Sequence, residues 1–249
     1  YGSLTGATNI NTLAADYAAG AQVGLSYTNR AYNLRAQATY ATGLMNNGWA
    51  FTGSLVYRWA DKGRAEGTSY DSFGYFFAAQ KVWNNHSIAL TTWGAPTQRG
   101  QSSASIQEVY NYRGIYYNSY WGYQDGKVRN SRVVESYDPT VLLNYIWDIN
   151  NESKLQVGAA WHYNKYSNSA LSFYNAPDPR PDYYRNLPSF QYTNLGVNGP
   201  NDTSDPNYGN VNTELYDFLD TQWRENNTDY TQINWDALYR ANYMNNAAT

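Results

Sequence analysis

The sequence predicts an all-β fold: part of a large antiparallel transmembrane β-barrel, with about seven strands in view and long extracellular loops that carry short helices. Three observations predict it. Apolar and polar residues alternate along many segments, short and long connections between these segments alternate as well, and aromatic residues are abundant. Because successive side chains of a strand point to opposite faces, this alternation suits a strand with lipid on one side and a wet lumen on the other.

The composition narrows the class of protein. The 249 residues include 27 Tyr and 9 Trp but only 15% charged residues, and Tyr and Trp favour interfaces between apolar and aqueous surroundings. No run of about 18 apolar residues occurs, so no transmembrane helix is predicted. The net charge of −3 gives no reason to expect nucleic-acid binding. Because Cys is absent, disulfides, thiolate metal sites and Cys nucleophiles are excluded.

The segment 49–59 shows the alternation most clearly. One face of this predicted strand carries Trp49, Phe51, Gly53, Leu55, Tyr57 and Trp59. The other face carries Ala50, Thr52, Ser54, Val56 and Arg58. The aromatic ends of the first face would lie at the two membrane interfaces, with aliphatic residues at mid-bilayer. The preceding Asn-Asn-Gly at 46–48 predicts a tight hairpin turn.

The other strands are predicted from the same pattern. They cover residues 21–30, 32–42, 73–83, 86–93, 133–147 and 155–163. Turns are short after Gly43, Trp83 and Trp147, and loops are longer after Trp59, Trp93 and Tyr174. Outer-membrane barrels have short turns on one rim and long loops on the other, so this alternation favours a barrel over a soluble sandwich.

Residues 97–131 and 175–249 are predicted to be long loops. The first is polar and rich in Tyr and Ser. The second should contain two short helices, one capped by Asn212 or Thr213 and one capped by Asn234, because apolar residues at helical spacing follow each cap. Loops of this length usually carry function or cover other elements.

Aromatic residues of the loop 97–131 form the main candidate for a ligand or partner surface. They are Tyr110, Tyr112, Tyr116, Tyr117, Tyr120, Trp121 and Tyr123. Aromatic rings stack on sugar faces and pack against peptides at a small cost in side-chain entropy. The alternative is that these rings pack the loop onto itself and its neighbours. On the polar faces of the strands, Arg35, Arg58 and His162 are candidates for contacts with the lumen or with a plug.

Signals for catalysis and for metal binding are weak. The two histidines, His86 and His162, lack a paired metal spacing, and no nucleophile elbow, P-loop or dinucleotide motif occurs. Carboxylates recur at Glu108, Glu135 and Asp138, at Glu214, Asp217 and Asp220, and within residues 201–205. Polar loops and solvated helix surfaces explain them more simply than a glycosidase pair or a Ca²⁺ site. We therefore predict no enzyme activity, no metal and no cofactor.

Five segments share features with one known family. They are Gly-Ala-Thr-Asn-Ile-Asn-Thr at 6–12, Asn-Gly-Trp-Ala-Phe at 47–51 and the segments 94–100, 121–127 and 174–185. The first resembles the closing segment of the plug domain in TonB-dependent outer-membrane receptors. The others are similar to barrel strands and loops of Bacteroidota members of that family, of the SusC/RagA-like type or the type with a carboxypeptidase-like regulatory domain. The resemblance covers nearly the whole chain.

The resemblance implies a 22-stranded barrel with an N-terminal plug that imports a nutrient ligand across the outer membrane. Its partners would be outer-membrane lipid, the TonB–ExbB–ExbD complex and a SusD-like surface lipoprotein. Residues 1–20 would be the end of the plug and its junction with the barrel, residues 21–174 the first barrel strands with their outer loops, and residues 175–249 a long extracellular loop. We expect a piece of a longer protein, because seven strands would leave unpaired edges in lipid.

Two other functions stay open at this point. One is a soluble or surface-attached all-β glycan-binding protein or glycosidase, whose aromatic faces would be buried between two sheets. The other is a barrel subunit of an outer-membrane envelope assembly that has no import activity. The residues do not distinguish between peptides, oligosaccharides and metal chelates as the imported ligand.

Overall fold

A computed structural model describes residues 11–247 of the chain, so the predicted end of the plug is described only from residue 11 onward. The described residues form two compact units. Unit 1 comprises residues 11–60, Tyr70–Gln98 and Glu135–Ser167. Unit 2 comprises Asp61–Ser69, Arg99–Val134 and residues 168–247.

Strands and helices both occur in the described residues. The strands are β1 (Gly20–Tyr27), β2 (Leu34–Ala41), β3 (Trp49–Ala60), β4 (Tyr70–Trp83), β5 (His86–Gly94), β6 (Thr97–Gly100), β7 (Trp121–Gln124), β8 (Lys127–Asn130), β9 (Val133–Tyr137), β10 (Thr140–Asp148), β11 (Lys154–His162) and β12 (Lys165–Asn168). The α-helices are α1 (Gln107–Arg113), α2 (Phe190–Thr193), α3 (Thr213–Arg224), α4 (Thr228–Thr231) and α5 (Trp235–Ala247). Short 3-10 helices span Ala14–Asp16, Tyr184–Asn186 and Tyr208–Asn210.

Ten of the strands form one sheet. Along its main path the strands lie in the order β1, β2, β3, β4, β5, β10 and β11, and each pairing on this path is antiparallel. Beside this path β6 pairs with β4 and β9, and β9 pairs with β12, while β7 and β8 form a separate hairpin. Within residues 11–247 the path ends at β1 and β11, and no pairing closes the sheet into a barrel.

The connections differ between the two ends of this sheet. Neighbouring strands run in opposite directions, so successive connections lie at opposite ends. One end has only the connections 42–48, 84–85 and 149–153, which are short. At the other end one connection, 28–33, is a short reversal. The connections 61–69 and 95–139 and the chain after β11 also start at this end, and they are longer. The predicted alternation of short and long connections is therefore present in the sheet.

The antiparallel sheet confirms the predicted strand segments, and three details of the prediction were wrong. The predicted strand 133–147 is divided into β9 and β10 at Asp138 and Pro139, since proline has no N–H to donate to a strand pairing. The predicted loop 97–131 contains β6, α1 and the hairpin β7–β8. The fold is mostly β, as predicted, but the described residues contain five α-helices where the sequence predicted two short ones.

Both predicted helix caps of the C-terminal region are present. The side chain of Asn212 accepts a hydrogen bond from the backbone N–H of Leu215 at 3.0 Å and begins α3. Asn234 accepts one from the N–H of Ala237 at 2.9 Å and begins α5. Each cap satisfies an N–H group that has no partner within its helix. Helices α2 and α4, which are single turns of four residues, were not predicted from the sequence.

A small core holds unit 2 together. Its buried members are Val109 of α1, Tyr117, Leu187 and Trp223 of α3, and Tyr112 packs against them. The ring centroid of Trp223 lies 5.9 Å from that of Tyr112 and 5.9 Å from that of Tyr117. Segments more than 100 residues apart in sequence are therefore joined by aromatic contacts.

The hairpin β7–β8 packs closely on the chain before α5. The backbone N–H of Ile233 donates to the carbonyl of Trp121 at 2.9 Å. A Cβ at the neighbouring Gly122 would lie 1.8 Å from the carbonyl oxygen of Ile233. Only glycine allows the two backbones to approach this closely.

Candidate functional site

One face of the sheet in unit 1 is apolar across all seven strands of the main path. The register keeps Leu55 of β3 between Ala38 of β2 and Tyr75 of β4. It likewise places Leu90 of β5 opposite Leu143 of β10. The side chains on this face are exposed although they are apolar: Val23 by 80%, Leu25 by 77%, Leu55 by 40%, Leu90 by 50% and Val157 by 52%.

Aromatic residues lie at both ends of this apolar face. Trp49, Trp83 and Trp147 are at the end with the short connections. Tyr27, Trp59, Phe73, Trp161 and Tyr163 are at the opposite end. The span from Trp49 to Trp59 corresponds to about 33 Å along a strand and to about 25 Å along the membrane normal at the tilt usual in barrels. That is the height of the apolar band of outer-membrane barrels.

Charged residues on this face in β3 and β4 lie at the strand ends. Lys81 is opposite Trp49, and its ammonium donates to the carbonyl of Asn47 at 2.5 Å in the adjacent short connection. Asp71 is opposite Trp59, and its carboxylate accepts from the hydroxyl of Tyr57 at 2.7 Å. Both charged groups thus have polar partners at the ends of the strands.

The opposite face of the sheet carries small and polar residues, many of them buried. They include Ala50, Thr52, Ser72, Ala78, Gln80, Ala89 and Thr91. Residues 12–17 lie against this face: the N–H of Ala15 donates to Oε1 of Gln80 at 2.8 Å, and the hydroxyl of Thr91 donates to the carbonyl of Thr12 at 3.3 Å. Ala14 packs directly on Ala50 and Ala78, because small side chains let the segment approach the strands closely.

The three predicted candidates for lumen or plug contacts all lie on this polar face. Arg35 of β2 and Arg58 of β3 are directly opposite each other in the strand register. The guanidinium of Arg58 lies 5.8 Å from the ring centroid of Tyr32. His162 lies apart from them at the end of β11, where its Nδ1 is 2.9 Å from the hydroxyl of Thr140. The sequence predicted the face for each residue but not the pairing of the two arginines.

A groove lies next to Arg58 on the polar face. Its volume is about 390 Å³, which falls within the range of small-molecule sites. Arg58, Phe76, Trp93 and Asp138 are among the side chains that line it. The groove therefore combines aromatic walls with one cationic and one anionic group.

The seven aromatic residues predicted as a binding surface have different positions within unit 2. Tyr117 and Trp121 are buried, and the hydroxyl of Tyr117 donates to the carbonyl of Thr231 at 2.9 Å. Tyr110, Tyr112 and Tyr120 are half-buried. Tyr116 and Tyr123 are exposed and remain available to a partner. For the buried rings, the observed role is packing of the loop against neighbouring segments of unit 2.

Tyr112 takes part in a polar contact that joins α1 to α3. Its hydroxyl donates to the carboxylate of Asp220 at 2.6 Å, and Nε of Arg224 donates to the same carboxylate at 2.6 Å. The hydrogen bond from Arg224 is the main reason that the pKa of Asp220 lies below its ordinary value. Burial, with the hydrogen bond to Asp220, raises the pKa of Tyr112. Asp220, which the sequence offered as a solvated helix residue, is therefore a structural acceptor.

We expect Asp220→Asn to reduce the stability of unit 2 at neutral pH. Loss of the two charge-assisted hydrogen bonds should cost about 1–3 kcal/mol. Because the folded-state pKa of Asp220 is lowered, its contribution is present above the unfolded-state value of about 3.9 and is lost as the pH falls through the folded-state pKa. Hydrogen exchange in α3 should therefore differ between wild type and variant at pH 7 and converge in acid. The control is Asp217→Asn on an exposed position of the same helix, which should change little.

An aromatic cluster that the sequence did not indicate lies at α5. The guanidinium of Arg129 from β8 is 4.2 Å from the ring centroid of Trp235 and 5.6 Å from that of Tyr239. Arg129 also donates to the hydroxyl of Tyr239 at 2.8 Å, which lowers the pKa of that phenol. The cluster attaches α5 to the hairpin β7–β8, and a contact across more than 100 residues has no local sequence signal.

Several of the other candidate carboxylates have protein partners. Glu108 accepts from Ser189, Glu135 accepts from Gln98 at 3.0 Å and Asp138 accepts from Asn164. Within residues 201–205, Asp202 accepts from the side-chain amide of the preceding Asn198 at 3.1 Å. No group of three or more His, Cys, Asp or Glu residues in the described chain could hold a metal ion.

Comparisons with known proteins found no relative of this chain. The functional argument therefore rests on the fold and on the two faces of the sheet. No protein-family model matches the chain, and the searches of curated proteins and of solved structures returned no match. Between residues 11 and 247, no helix has both the length and the apolar character needed to cross a membrane.

Proposed function

We propose that the chain is part of the wall of an outer-membrane β-barrel whose apolar face contacts lipid. The observation that carries this proposal is the exposed apolar face of unit 1, which is aromatic at both ends and aliphatic between them. Soluble monomers rarely expose apolar patches larger than a few hundred Å², whereas this face extends over seven strands. A soluble sandwich would bury such a face under a second sheet.

The ends of the sheet support the same proposal. β1 and β11 each have a free edge within the described residues. In a bilayer every backbone N–H and C=O must be paired, so strands that are not among the described residues would continue the sheet from both edges and close it. Closure would turn the small and polar face, with Arg35, Arg58 and His162, toward a lumen.

We further propose that this barrel imports a nutrient ligand in the manner of TonB-dependent receptors. Residues 12–17 lie on the polar face, where the end of a plug that fills the lumen would lie. Ligand capture would involve the outer loops, with Tyr116 and Tyr123 among the exposed rings. Import would depend on the TonB–ExbB–ExbD complex, which would act on a plug, and on a SusD-like lipoprotein at the surface.

Fractionation and uptake test the two parts of this proposal separately. The full-length protein should stay with the outer membrane after salt and carbonate washes and require detergent for release. Recovery from washed cells without detergent would contradict the membrane barrel and favour the soluble glycan-binding protein. Deletion of the gene should slow growth on a defined set of peptides or oligosaccharides, and mutation of TonB should have the same effect. A deletion strain that grows normally on all of them, but has a damaged envelope, would favour the structural subunit.

A further inference from the structure

The two arginines on the polar face of the sheet form an unusual cross-strand pair. Arg35 and Arg58 are directly opposite each other on β2 and β3, so both side chains emerge on the same face. Residues opposite each other in antiparallel strands have Cβ atoms about 5 Å apart, and like charges in such positions destabilise the sheet. A negative charge near both guanidinium groups would relieve this repulsion.

The described residues do not supply that charge by an ion pair. The salt bridges in the described chain are Lys154–Asp148, Arg180–Asp178 and Arg224–Asp220, and none includes either arginine. Nη2 of Arg35 donates to the neutral amide oxygen of Gln37. Nε of Arg35 is shielded from solvent and has no hydrogen-bond partner. A buried N–H group without a hydrogen-bond partner lowers the stability of the folded protein, and an acceptor beside it would remove this penalty.

A groove lies beside Arg58 on the polar face, and Arg35 stands opposite Arg58 on the neighbouring strand. Phe76 and Trp93 line it together with Arg58, so an anionic group bound at Arg58 could carry an apolar or aromatic body that packs against the rings. Asp138 also lines the groove but is hydrogen-bonded to Asn164. With two arginines and one aspartate, the local charge still favours an anion.

We propose that Arg35 and Arg58 together bind a carboxylate or phosphate group on the polar face of the sheet. Guanidinium groups recognise both anions through paired N–H donors, and Arg35 Nε is the unused donor. The group belongs either to the imported molecule, which would then be an anion with an apolar part, or to a segment of the same protein outside residues 11–247. The inference rests on the proposed function in placing this face toward a lumen and in naming an imported molecule as one source of the group.

Titration of the full-length protein in detergent with inorganic phosphate, at low ionic strength, tests the pair directly. If the site is open to ligands, wild type binds phosphate, and Arg58→Gln or Arg35→Gln weakens binding about tenfold or more. Arg58→Lys should bind with intermediate affinity, because it keeps the charge but loses the paired donors. Asp138→Asn should strengthen binding. The matched control is Arg30→Gln, which removes the same charge from an exposed residue of the connection 28–33.

If a carboxylate of the protein itself occupies the site, phosphate does not bind, and both glutamine variants lower the melting temperature relative to Arg30→Gln. The proposal is overturned if phosphate does not bind and the glutamine variants leave the melting temperature unchanged or raise it. In that case the substitutions only relieve the repulsion between the two arginines, and no anion is bound there. Failure of the proposed function is a separate result, because the titration measures the arginine pair whichever compartment the sheet faces.

Discussion

Replacement of Leu55 by Arg is expected to destabilise the protein folded in a bilayer by about 2–4 kcal/mol. Leu55 lies midway along β3 on the apolar face, with Ala38 and Tyr75 beside it. If this face contacts lipid, the position is close to mid-bilayer, where a guanidinium loses most of its hydration. In a soluble protein the same side chain, already 40% exposed, would tolerate a charge with little loss of stability.

The measurement is the folding equilibrium of the full-length protein in lipid vesicles of fixed composition. Leu44→Arg is the matched control, because Leu44 is an exposed leucine in the short connection 42–48, outside the strands. The control should fold like wild type. Equal folding of Leu55→Arg and Leu44→Arg would show that the apolar face does not contact the hydrocarbon core, and the membrane orientation would have to be abandoned.

Replacement of Trp223 by Ala is expected to destabilise unit 2 by about 3–5 kcal/mol. Trp223 is 1% exposed and lies in the core formed with Val109, Tyr117 and Leu187. Its removal leaves a cavity among rings that come from distant segments of the chain, and the surrounding helices can close such a cavity only in part. The strands of unit 1 should keep their stability, since this core belongs to unit 2.

Hydrogen exchange resolved to individual segments measures this effect in the full-length protein. Protection should fall in α1 and α3 of the Trp223→Ala protein and stay unchanged in β3 and β4. The control is Tyr243→Ala, an aromatic residue of α5 that is 75% exposed and should contribute little. Equal loss of protection in α1, α3, β3 and β4 would contradict the expectation that this core stabilises unit 2 and not the strands of unit 1.

Local patterns predicted much of the sheet. Alternation along 49–59 assigned each residue of β3 to its face, and the register with β2 and β4 continues the same two faces. Asn212 and Asn234 were recognisable as caps because a helix start depends on residues only three positions apart. Alternation could not reveal the break at Pro139, since the apolar residues on both sides of it keep the period of a strand.

The aromatic loop shows where this kind of prediction stops. Composition marked seven rings as a candidate surface, and nothing in the residues next to Tyr117 or Tyr116 indicated that the first is buried and the second exposed. The difference comes from Trp223 and Thr231, which contact Tyr117 across more than 100 residues. Burial of a loop residue is decided by such distant contacts, which have no periodic signal in the chain.

The sequence by itself determined which side chains share a face of the sheet, because the two-residue period of a strand is a local property of the backbone. It therefore determined the apolar face with its aromatic ends, on which the membrane proposal rests. Only the tertiary structure decided that Arg35 and Arg58 stand opposite each other, that residues 12–17 cover the polar face and that Trp223 organises unit 2. Each of these depends on the register between strands or on contacts between residues far apart in the sequence. Such contacts form only when the whole chain packs, so no local pattern encodes them.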